Sequence, residues 1–491
     1  MRVLTIDLGA SSVRCMVVDY TSGVLSYEEI YRFENKILTN ENKELRWDIY
    51  NILSEIKTGV NKAFEKYDDI VSIGVDSWGC DYAYIRKNGE FADNPFCYRD
   101  KRTVDASKKA LEIISADRLY YLTGIQLMHF NTIFQLYADH LQKRLHTDYS
   151  DKFLMIADIV NYFLTGEMSL EITNLSTASL LDVKTLQISG EILYKLSIKE
   201  SLFPKIYKPG QVIGHLLDSV VPNLKRKVPV VAVCSHDTAS AILGMPVDDE
   251  TIYISSGTWS LLGVESKNFI NDSKSKERNF TNELGYGDRF CYLKNVMGMF
   301  VYNQLRKEYK DNGETLSHDT IVKLISEAPY LEKFIDVDNP KLSTPFNMSL
   351  KLRSILAETN QTPPTFAGQW FSMIYESMAC KYRHTIDRLK ETTNRDFKRI
   401  VVGGGGNQAE LLNQYTANVT NMIVEQGAVE ATVLGNALAQ FISLGAIKSV
   451  EEGREIIEKS FSGKKYFPNN VDDWNKKYER FKRAVIKEDK D

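Results

Sequence analysis

Cysteine and histidine are scarce in this chain of 491 residues. There are six cysteines and seven histidines, and the cysteines are scattered with no CxxC spacing. Scattered cysteines in apolar runs are typical of reduced, buried thiols, so we expect a cytoplasmic protein without a disulfide framework. Histidines that do not cluster also argue against a dedicated zinc site.

A strong net charge and a long hydrophobic run are absent as well. The chain has 61 basic and 65 acidic residues, which gives a formal net charge of −4. No overall field therefore favours nucleic acid or an anionic membrane as a partner. No apolar run approaches the length of a membrane span, and Asp7 interrupts the first one, so we expect neither export nor membrane insertion.

The length of the chain indicates two domains. A chain of 491 residues, 43% of them hydrophobic, exceeds one ordinary domain and can bury a sizeable core. Short strand patterns alternate with helical ones, which predicts an α/β fold. We place the domains at residues 1–246 and 247–491.

Two turns made of small residues follow predicted strands. The first covers residues 9–12 after a strand at 3–8, and the second covers residues 255–258. Small residues let backbone N–H groups approach phosphate oxygens, and the serine and threonine hydroxyls add donors. Asp7, just before the first turn, could hold magnesium through water. One such turn could be an ordinary hairpin, but a pair opening two halves predicts an internal duplication.

A run of four glycines is a third candidate for nucleotide binding. Residues 398–402 predict a strand that leads into glycines 403–406 and then into a helix. This order brings bare backbone against a nucleotide at a helix amino terminus. The run is neither GxGxxG nor a Walker loop, which disfavours a Rossmann dehydrogenase and a P-loop NTPase.

Two predicted strand ends carry candidate substrate residues. His236 and Asp237 follow the strand pattern of residues 228–234 and precede a small-residue helix. Strand ends of this kind hold the sites of many α/β proteins. Asp237 or Ser235 could equally cap the helix, so these residues alone leave cap and catalyst open. Gly79, at the other strand end, allows close approach of a ligand, and Trp78 beside it could wall a sugar or belong to the core.

These segments together resemble the FGGY family of carbohydrate kinases. DLGASS at 7–12, SSGTWSL at 255–261 and VVGGGG at 401–406 occur in the order of the two phosphate elements and the adenosine element shared by sugar kinases, actin and heat-shock ATPases. The narrower match rests on WD at 47–48, GVDSWGCD at 74–81, YRDKRT at 98–103, SHDTAS at 235–240, TNE at 281–283 and LKNVMG at 293–298. Within the family the chain is most similar to the branch that phosphorylates L-rhamnulose.

The resemblance implies two ribonuclease H-like domains of the actin and hexokinase type around an interdomain cleft. Residues 1–246 would bind the sugar and carry the first phosphate turn and the catalytic aspartate. Residues 247–491 would bind the nucleotide and end in a helical cap. ATP and magnesium are implied, with transfer of the γ-phosphoryl group to the 1-hydroxyl of L-rhamnulose in L-rhamnose catabolism.

The resemblance also implies roles for individual residues. Asp237 would be the general base, because a carboxylate within hydrogen-bond reach can align a weakly acidic sugar hydroxyl and accept its proton. The nucleotide would be bound by Asp7, Gly9, Ala10, Ser11, Ser12, Arg14, Gly257, Thr258, Asn303, Gly404 and Gly405, with Asp7 also holding the metal. The sugar would be bound by Gly79, His236, Asp237, Thr238 and Asn295.

Three features depart from the family pattern. The literal FGGY string is absent, Val13 stands where a glycine is usual, and Asn303 stands where a glutamine near ATP is usual. The two substitutions bear on ATP affinity more than on the type of reaction.

Two alternative functions stay open at this point. The first is a kinase of another ketose or deoxy-sugar, such as fuculose, xylulose or a quorum-signal dione, because specificity rests on a few hydroxyl and methyl contacts. The second is a nucleotide-switched, actin-like ATPase, which needs the two turns but no carboxylate aimed at a sugar. In either case we expect a monomer or a small homo-oligomer.

Overall fold

The computed structural model describes residues 1–144 and 150–486, which form two compact units. The first unit comprises Met1–Pro246, Glu265–Tyr292 and Glu430–Phe461; the second comprises Val247–Val264, Leu293–Val429 and the residues from Ser462 onward. Both units combine strands and helices, which confirms the predicted α/β class. The functional domains predicted at 1–246 and 247–491 stay a prediction; the chain leaves the first unit after Pro246 and returns to it twice.

The strands and helices are as follows. The strands are β1 (Arg2–Leu8), β2 (Ser12–Thr21), β3 (Val24–Glu34), β4 (Ile37–Thr39), β5 (Leu45–Trp47), β6 (Ile70–Ser77), β7 (Tyr82–Arg86), β8 (Ser150–Met155), β9 (Ser169–Glu171), β10 (Leu181–Asp182), β11 (Gln187–Ile188), β12 (Lys205–Tyr207), β13 (Val212–His215), β14 (Pro229–Val231), β15 (Thr251–Ser256), β16 (Trp259–Ser266), β17 (Thr281–Leu284), β18 (Phe290–Met297), β19 (Arg399–Gly403), β20 (Ile423–Gln426) and β21 (Lys465–Tyr466). The helices are α1 (Ile49–Lys66), α2 (Thr103–Ile113), α3 (Ala116–Thr123), α4 (Thr132–Leu141), α5 (Ile156–Thr165), α6 (Ile172–Ser176), α7 (Gly190–Lys195), α8 (Asp237–Leu243), α9 (Ser273–Glu277), α10 (Phe300–Asp311), α11 (His318–Glu327), α12 (Met348–Glu358), α13 (Ala367–Thr393), α14 (Glu410–Thr420), α15 (Ala431–Ser443), α16 (Val450–Ser460) and α17 (Val471–Val485).

The first unit is organised on a six-stranded sheet with the order β13–β14–β6–β1–β2–β3. Strand β1 runs antiparallel to β2 and parallel to β6, so Asp7 lies opposite Arg14 on one side and opposite Asp76 on the other. A parallel bridge then joins Ser77 to His236. The sheet therefore brings candidate residues that are far apart in sequence to adjacent strand ends.

Helix α15 packs closely on α8 within the same unit. An added Cβ at Gly435 would lie 1.8 Å from the Ser240 carbonyl oxygen, and one at Gly244 would lie 2.0 Å from the Ala431 carbonyl oxygen. Glycine at both positions lets the two backbones approach, because any side chain would overlap with backbone. This packing holds the helix that begins at Asp237.

The second unit repeats the local plan of the first. Strand β15 pairs antiparallel with β16 and parallel with β19, and β19 pairs parallel with β20. A hairpin whose first strand also has a parallel partner thus occurs in each unit, as the predicted duplication requires. Within the described ranges, no helix combines the length and the apolar composition needed to cross a membrane.

We expect Gly435→Ala to lower the free energy of unfolding by about 1–3 kcal/mol, because the new methyl group must displace α8 or α15. Gly190→Ala is the matched control, because an added Cβ there meets no described atom within 4 Å. Urea-induced unfolding checks both variants. Equal unfolding midpoints for the two variants would contradict the importance of the close packing.

Candidate active site

Asp237 is the first residue of α8 and follows the bridge between Ser77 and His236. His236 takes the N-cap position, and no described side chain makes a capping hydrogen bond there. Ser235 donates its hydroxyl to Glu171 instead, at 2.6 Å. Neither Ser235 nor Asp237 is therefore the N-cap residue, and the Asp237 side chain stays 37% exposed.

The charge of Asp237 depends on its immediate neighbours. Desolvation by the surrounding protein raises the pKa of its carboxyl, the nearby His236 ring lowers it, and Asp7 raises it, so the net shift of the pKa is upward. His236 Nε2 lies 3.6 Å from Asp237 Oδ1, and Thr238 Oγ1 donates to the same oxygen at 3.2 Å. A carboxylate with a raised pKa is a stronger base than an ordinary aspartate, which suits proton abstraction near neutral pH.

Asp7 and Asp76 form a pair of acids on the adjacent strands β1 and β6. Asp7 is 4% exposed and accepts a hydrogen bond from Arg14, which also donates to Glu430. Asp76 is fully buried; its Oδ2 accepts from Asn436 at 2.6 Å, and its Oδ1 has no hydrogen-bond partner in the described part of the chain. Burial, followed by the negative charge of Asp7, raises the pKa of Asp76 well above its usual range.

Arg14 stays charged beside these acids. Burial by itself lowers the pKa of the Arg14 guanidinium, but the carboxylates of Asp7 and Glu430 raise it, and the net shift is upward. The guanidinium therefore offsets part of the negative charge at the end of β1.

The first predicted turn holds its shape through backbone contacts. The Gly9 N–H donates to the Ser12 carbonyl at 3.0 Å, and Asn35 Nδ2 donates to the Gly9 carbonyl at 2.6 Å. An added Cβ at Gly9 would lie 2.9 Å from the Ser12 carbonyl oxygen, so the position needs glycine. Ala10 and Ser12 are half-buried and Ser11 is exposed, which leaves a turn with little side-chain bulk.

The second turn and the glycine run lie together in the second unit. Gly257 donates to the Trp259 carbonyl at 2.8 Å, and the Phe300 N–H donates to the Thr258 carbonyl at 3.3 Å. Gly404 has a positive φ of 80°, and an added Cβ would lie 2.8 Å from the Ser256 carbonyl oxygen. The strand pairing continues to this point, because Ser255 pairs with Gly403. The structure thus brings Gly257, Thr258 and Gly404 to one place.

Three further residues of the second unit were predicted to bind ligands, and the structure connects them less closely to the second turn. Asn303 is an exposed residue of α10, and its N–H donates to the Met299 carbonyl at 2.8 Å. Met299 in turn donates to the Gly257 carbonyl at 3.1 Å, so Asn303 lies one helical turn from the second phosphate-type turn. An added Cβ at Gly405 would meet no described atom within 4 Å. Asn295 is a half-buried residue of β18.

Gly79 lines a narrow space next to His236. An added Cβ would lie 3.0 Å from Thr177 Oγ1 and 3.6 Å from both Asn174 Oδ1 and His236 Cδ2. Asn174 Oδ1 is buried and makes no hydrogen bond to any described residue. Gly79, His236, Asp237 and Thr238 are therefore brought together, and their binding of one substrate stays a prediction.

Trp78 belongs to the core. It is only 6% exposed, and its ring packs on Trp47 at a centroid distance of 4.6 Å. Both indoles donate to Asp81 Oδ2, at 3.0 Å from Trp78 and 2.7 Å from Trp47. Burial raises the pKa of Asp81 to about 6 although these donors lower it. Of the two interpretations of Trp78, the structure supports the core.

Several residues of the site were missed by sequence reasoning. Glu171 accepts hydrogen bonds from the N–H and hydroxyl of Ser235, from the N–H and hydroxyl of Thr173, and from the N–H of Asn174. Glu283 lies 3.3 Å from His236 Nδ1. Asp76 and Glu283 stand inside segments quoted for the resemblance, GVDSWGCD and TNE, but Glu171 had no such signal.

Each of the two α/β units has a turn of small residues after a strand, and the first unit has an accessible carboxylate at a strand-to-helix turn. This is the arrangement that the resemblance to sugar kinases predicts. Residues 2–244 match the N-terminal domain of the FGGY family of carbohydrate kinases, and residues 252–444 match its C-terminal domain. The chain belongs to the FGGY family of carbohydrate kinases.

Curated relatives match almost the whole chain. The rhamnulokinase of Enterococcus faecalis is 36% identical over 96% of this chain and 94% of its own length. That of Halalkalibacterium halodurans is 36% identical over 94% of this chain and 98% of its own, and that of Bacteroides thetaiotaomicron is 35% identical over 98% of both.

Solved structures share the fold at low sequence identity. Xylulose kinase from Lactobacillus acidophilus superposes with a TM-score of 0.81 at 16% identity, covering 98% of this chain and 97% of its own. Glycerol kinase from Plasmodium falciparum gives a TM-score of 0.79 at 13% identity, covering 99% and 98%. These matches confirm the predicted two-domain α/β fold.

We expect Glu171→Gln to lower the free energy of unfolding by about 1–3 kcal/mol, because the new amide N–H₂ would face donors that now meet a carboxylate oxygen. It should also slow turnover, since Ser235 immediately precedes His236 and Asp237. Glu191→Gln, which removes an exposed partner of Arg118, is the control. Urea unfolding and steady-state kinetics check both effects, and native stability in Glu171→Gln would show that this carboxylate does not hold the turn.

Proposed function

We propose that this chain transfers the γ-phosphoryl group of ATP to the 1-hydroxyl of L-rhamnulose, giving L-rhamnulose 1-phosphate for L-rhamnose catabolism. The observation that carries the proposal is the accessible Asp237 carboxylate beside His236, Thr238 and Gly79. The choice of sugar is supported by the name rhamnulokinase, which full-length relatives at 33–36% identity carry. This name distinguishes the proposal from kinases of fuculose, xylulose or a quorum-signal dione.

Asp237 acts as the general base in this proposal. Thr238 occupies Oδ1, which leaves Oδ2 for the sugar hydroxyl. As the sugar oxygen attacks the γ-phosphorus, its proton passes to the carboxylate, and ADP departs with the electron pair of the broken bond. His236, Thr238, Gly79 and Asn295 hold the sugar so that the reacting hydroxyl meets the carboxylate, and this positioning supplies much of the rate.

The nucleotide is bound in the proposal by the two turns and the glycine run. Backbone and hydroxyl donors of residues 9–12, Gly257 and Thr258 stabilise the phosphate oxygens, with Arg14 adding a fixed positive charge. Gly404 and Gly405 give the adenosine access to bare backbone, and Asn303 lies close to the second turn.

The acids at the end of β1 fit a magnesium ion. Arg14 occupies Oδ2 of Asp7, while neighbouring Asp76 adds an oxygen with no hydrogen-bond partner among the described residues. Within the same described ranges, no group of three or more His, Cys, Asp or Glu could hold a metal. A site with one or two carboxylates suits magnesium, which keeps several of its waters and binds substrate phosphates. When bound, it would neutralise charge on the transferred group.

The actin-like ATPase is disfavoured by the arrangement around Asp237. A nucleotide switch needs the two turns, but it does not require an accessible carboxylate or a glycine-lined space beside His236.

All six cysteines are free. The cytoplasmic location and the monomeric or small homo-oligomeric state stay predictions.

We expect Asp237→Asn to keep its affinity for ATP and sugar but to lose about 10²- to 10⁴-fold in kcat, the usual contribution of a general base. Isothermal titration would measure binding, and a coupled assay for ADP would measure turnover. Thr238→Val is the companion variant, because it removes the neighbouring hydroxyl while keeping the carboxylate, and its loss should be much smaller. Near-native turnover by Asp237→Asn would show that Asp237 is not the general base.

We also expect ATP consumption to depend on added L-rhamnulose. A coupled assay against L-rhamnulose, fuculose, xylulose and a quorum-signal dione measures this dependence directly. Strong stimulation by another compound, with none by L-rhamnulose, would show that the other compound is the substrate. ATP hydrolysis at the same rate without any sugar would favour the nucleotide-switched ATPase.

A further inference from the structure

A buried acid lies behind the imidazole of His236. Glu283 Oε2, on β17, is 3.3 Å from His236 Nδ1, and the two residues are 8% and 9% exposed. On the opposite side of the ring, His236 Nε2 lies 3.6 Å from Asp237 Oδ1. The ring therefore stands between two carboxyl groups, one buried and one accessible.

The buried pair has no other way to satisfy its polar atoms. His236 Nδ1 and Glu283 Oε2 are both buried, and neither makes a hydrogen bond within the described part of the chain. At 3.3 Å they are within ion-pair distance of each other. Because buried polar atoms without partners are costly, a small rotation that aligns Nδ1–H with Oε2 is favoured.

Charged groups around the ring favour its cationic form. Burial alone lowers the pKa of His236, but the contact with Glu283 raises it, as do the charges of Asp237 and Glu171, and the net direction is upward. Beyond Asp237 lie the acids Asp7 and Asp76. When both ring nitrogens carry protons, Nδ1–H serves Glu283 and Nε2–H is presented on the side of Asp237.

We propose that Glu283 is a positioning residue that holds His236 as an oriented cation, with its Nε2–H available to the sugar oxygens beside Asp237. The inference rests on the proposed function, in which His236 contacts the sugar. Glu283 itself acts only through His236. Glu283 thereby fixes the charge and the ring orientation of His236, the residue that contacts the substrate.

The test has one measurement that needs no substrate. NMR titration of protein labelled with ¹³C and ¹⁵N at histidine, with His236→Asn used to assign the signal, gives the pKa of His236. We expect a value above the ordinary histidine value of about 6.5 in the native protein and a downward shift in Glu283→Gln. A native value at or below the ordinary one would overturn the proposal even if Glu283→Gln failed to fold.

The second measurement follows kcat/KM for whichever sugar the chain phosphorylates. At pH 8 we expect Glu283→Gln to lose about 10- to 100-fold, the range expected for a lost charge-assisted hydrogen bond, with the KM for ATP unchanged. The ratio of variant to native kcat/KM should rise as pH falls and His236 regains its proton. A merely structural role would lower the ratio equally at every pH, and that result would overturn the inference.

The outcomes separate this inference from the proposed function. Near-native turnover by Asp237→Asn would remove the proposed base but leave the NMR prediction for His236 standing. Loss of activity in Asp237→Asn, with an unshifted His236 in Glu283→Gln, would overturn only the role of Glu283. Glu191→Gln removes an exposed carboxylate elsewhere in the same unit and should leave both readouts unchanged.

Discussion

The geometry of the site depends on one buried carboxylate, that of Glu171. Its two oxygens accept hydrogen bonds from Ser235, Thr173 and Asn174, and its own N–H donates to Asp158 at 3.0 Å. Burial raises the pKa of Glu171 although the surrounding donors lower it. A carboxylate with so many donors is costly to bury and costly to replace, because each donor would lose its partner. The chain segment that ends at Asp237 is fixed by this requirement rather than by apolar packing alone.

A second constraint is the balance of charge at the carboxyl ends of the central strands. The charge of Asp7 raises the pKa of both Asp76 and Asp237, and three like charges close together are unfavourable without compensation. Arg14 compensates on the side of β2, and on the side of α8 the His236 ring lies 3.6 Å from Asp237 and lowers the pKa of that carboxyl. Asp76 makes no salt bridge in the described part of the chain, and burial raises its pKa well above the usual range. The negative charge that remains is charge that the proposed magnesium ion would offset.

Sequence reasoning predicted the parts of this site that depend on local chemistry. The two turns and the glycine run were predicted because small residues let backbone N–H groups approach a ligand, and the structure leaves no room for a side chain at Gly9 or Gly404. His236 and Asp237 were found at their strand end, but their isolated sequence left helix cap and catalyst open. The N-cap position of His236 and the use of Ser235 by Glu171 exclude the N-cap role for Asp237 and Ser235, while the catalytic role of Asp237 stays a proposal.

What escaped prediction depends on contacts between distant segments. Glu171 precedes Ser235 by 64 positions, and Asn436 follows Asp76 by 360. No local periodicity links such residues, and an acid in a short strand has the same appearance whether it faces solvent or holds a turn. Trp78 illustrates the converse case, because an aromatic residue beside a glycine suggested a sugar wall until its hydrogen bond to Asp81 placed it in the core.

Helix α15 shows why packing and site chemistry cannot be separated in this unit. Gly435 lets the helix approach α8, and the next residue, Asn436, donates to Asp76. One turn further on, Gln440 donates to the Leu4 carbonyl at 3.1 Å and accepts from Ser72 at 2.6 Å. A larger residue at 435 would move this polar edge away from the sheet and leave the Asp76 carboxyl with neither oxygen bonded. The close approach of two backbones is therefore a condition for the electrostatics around Asp7 and Asp237.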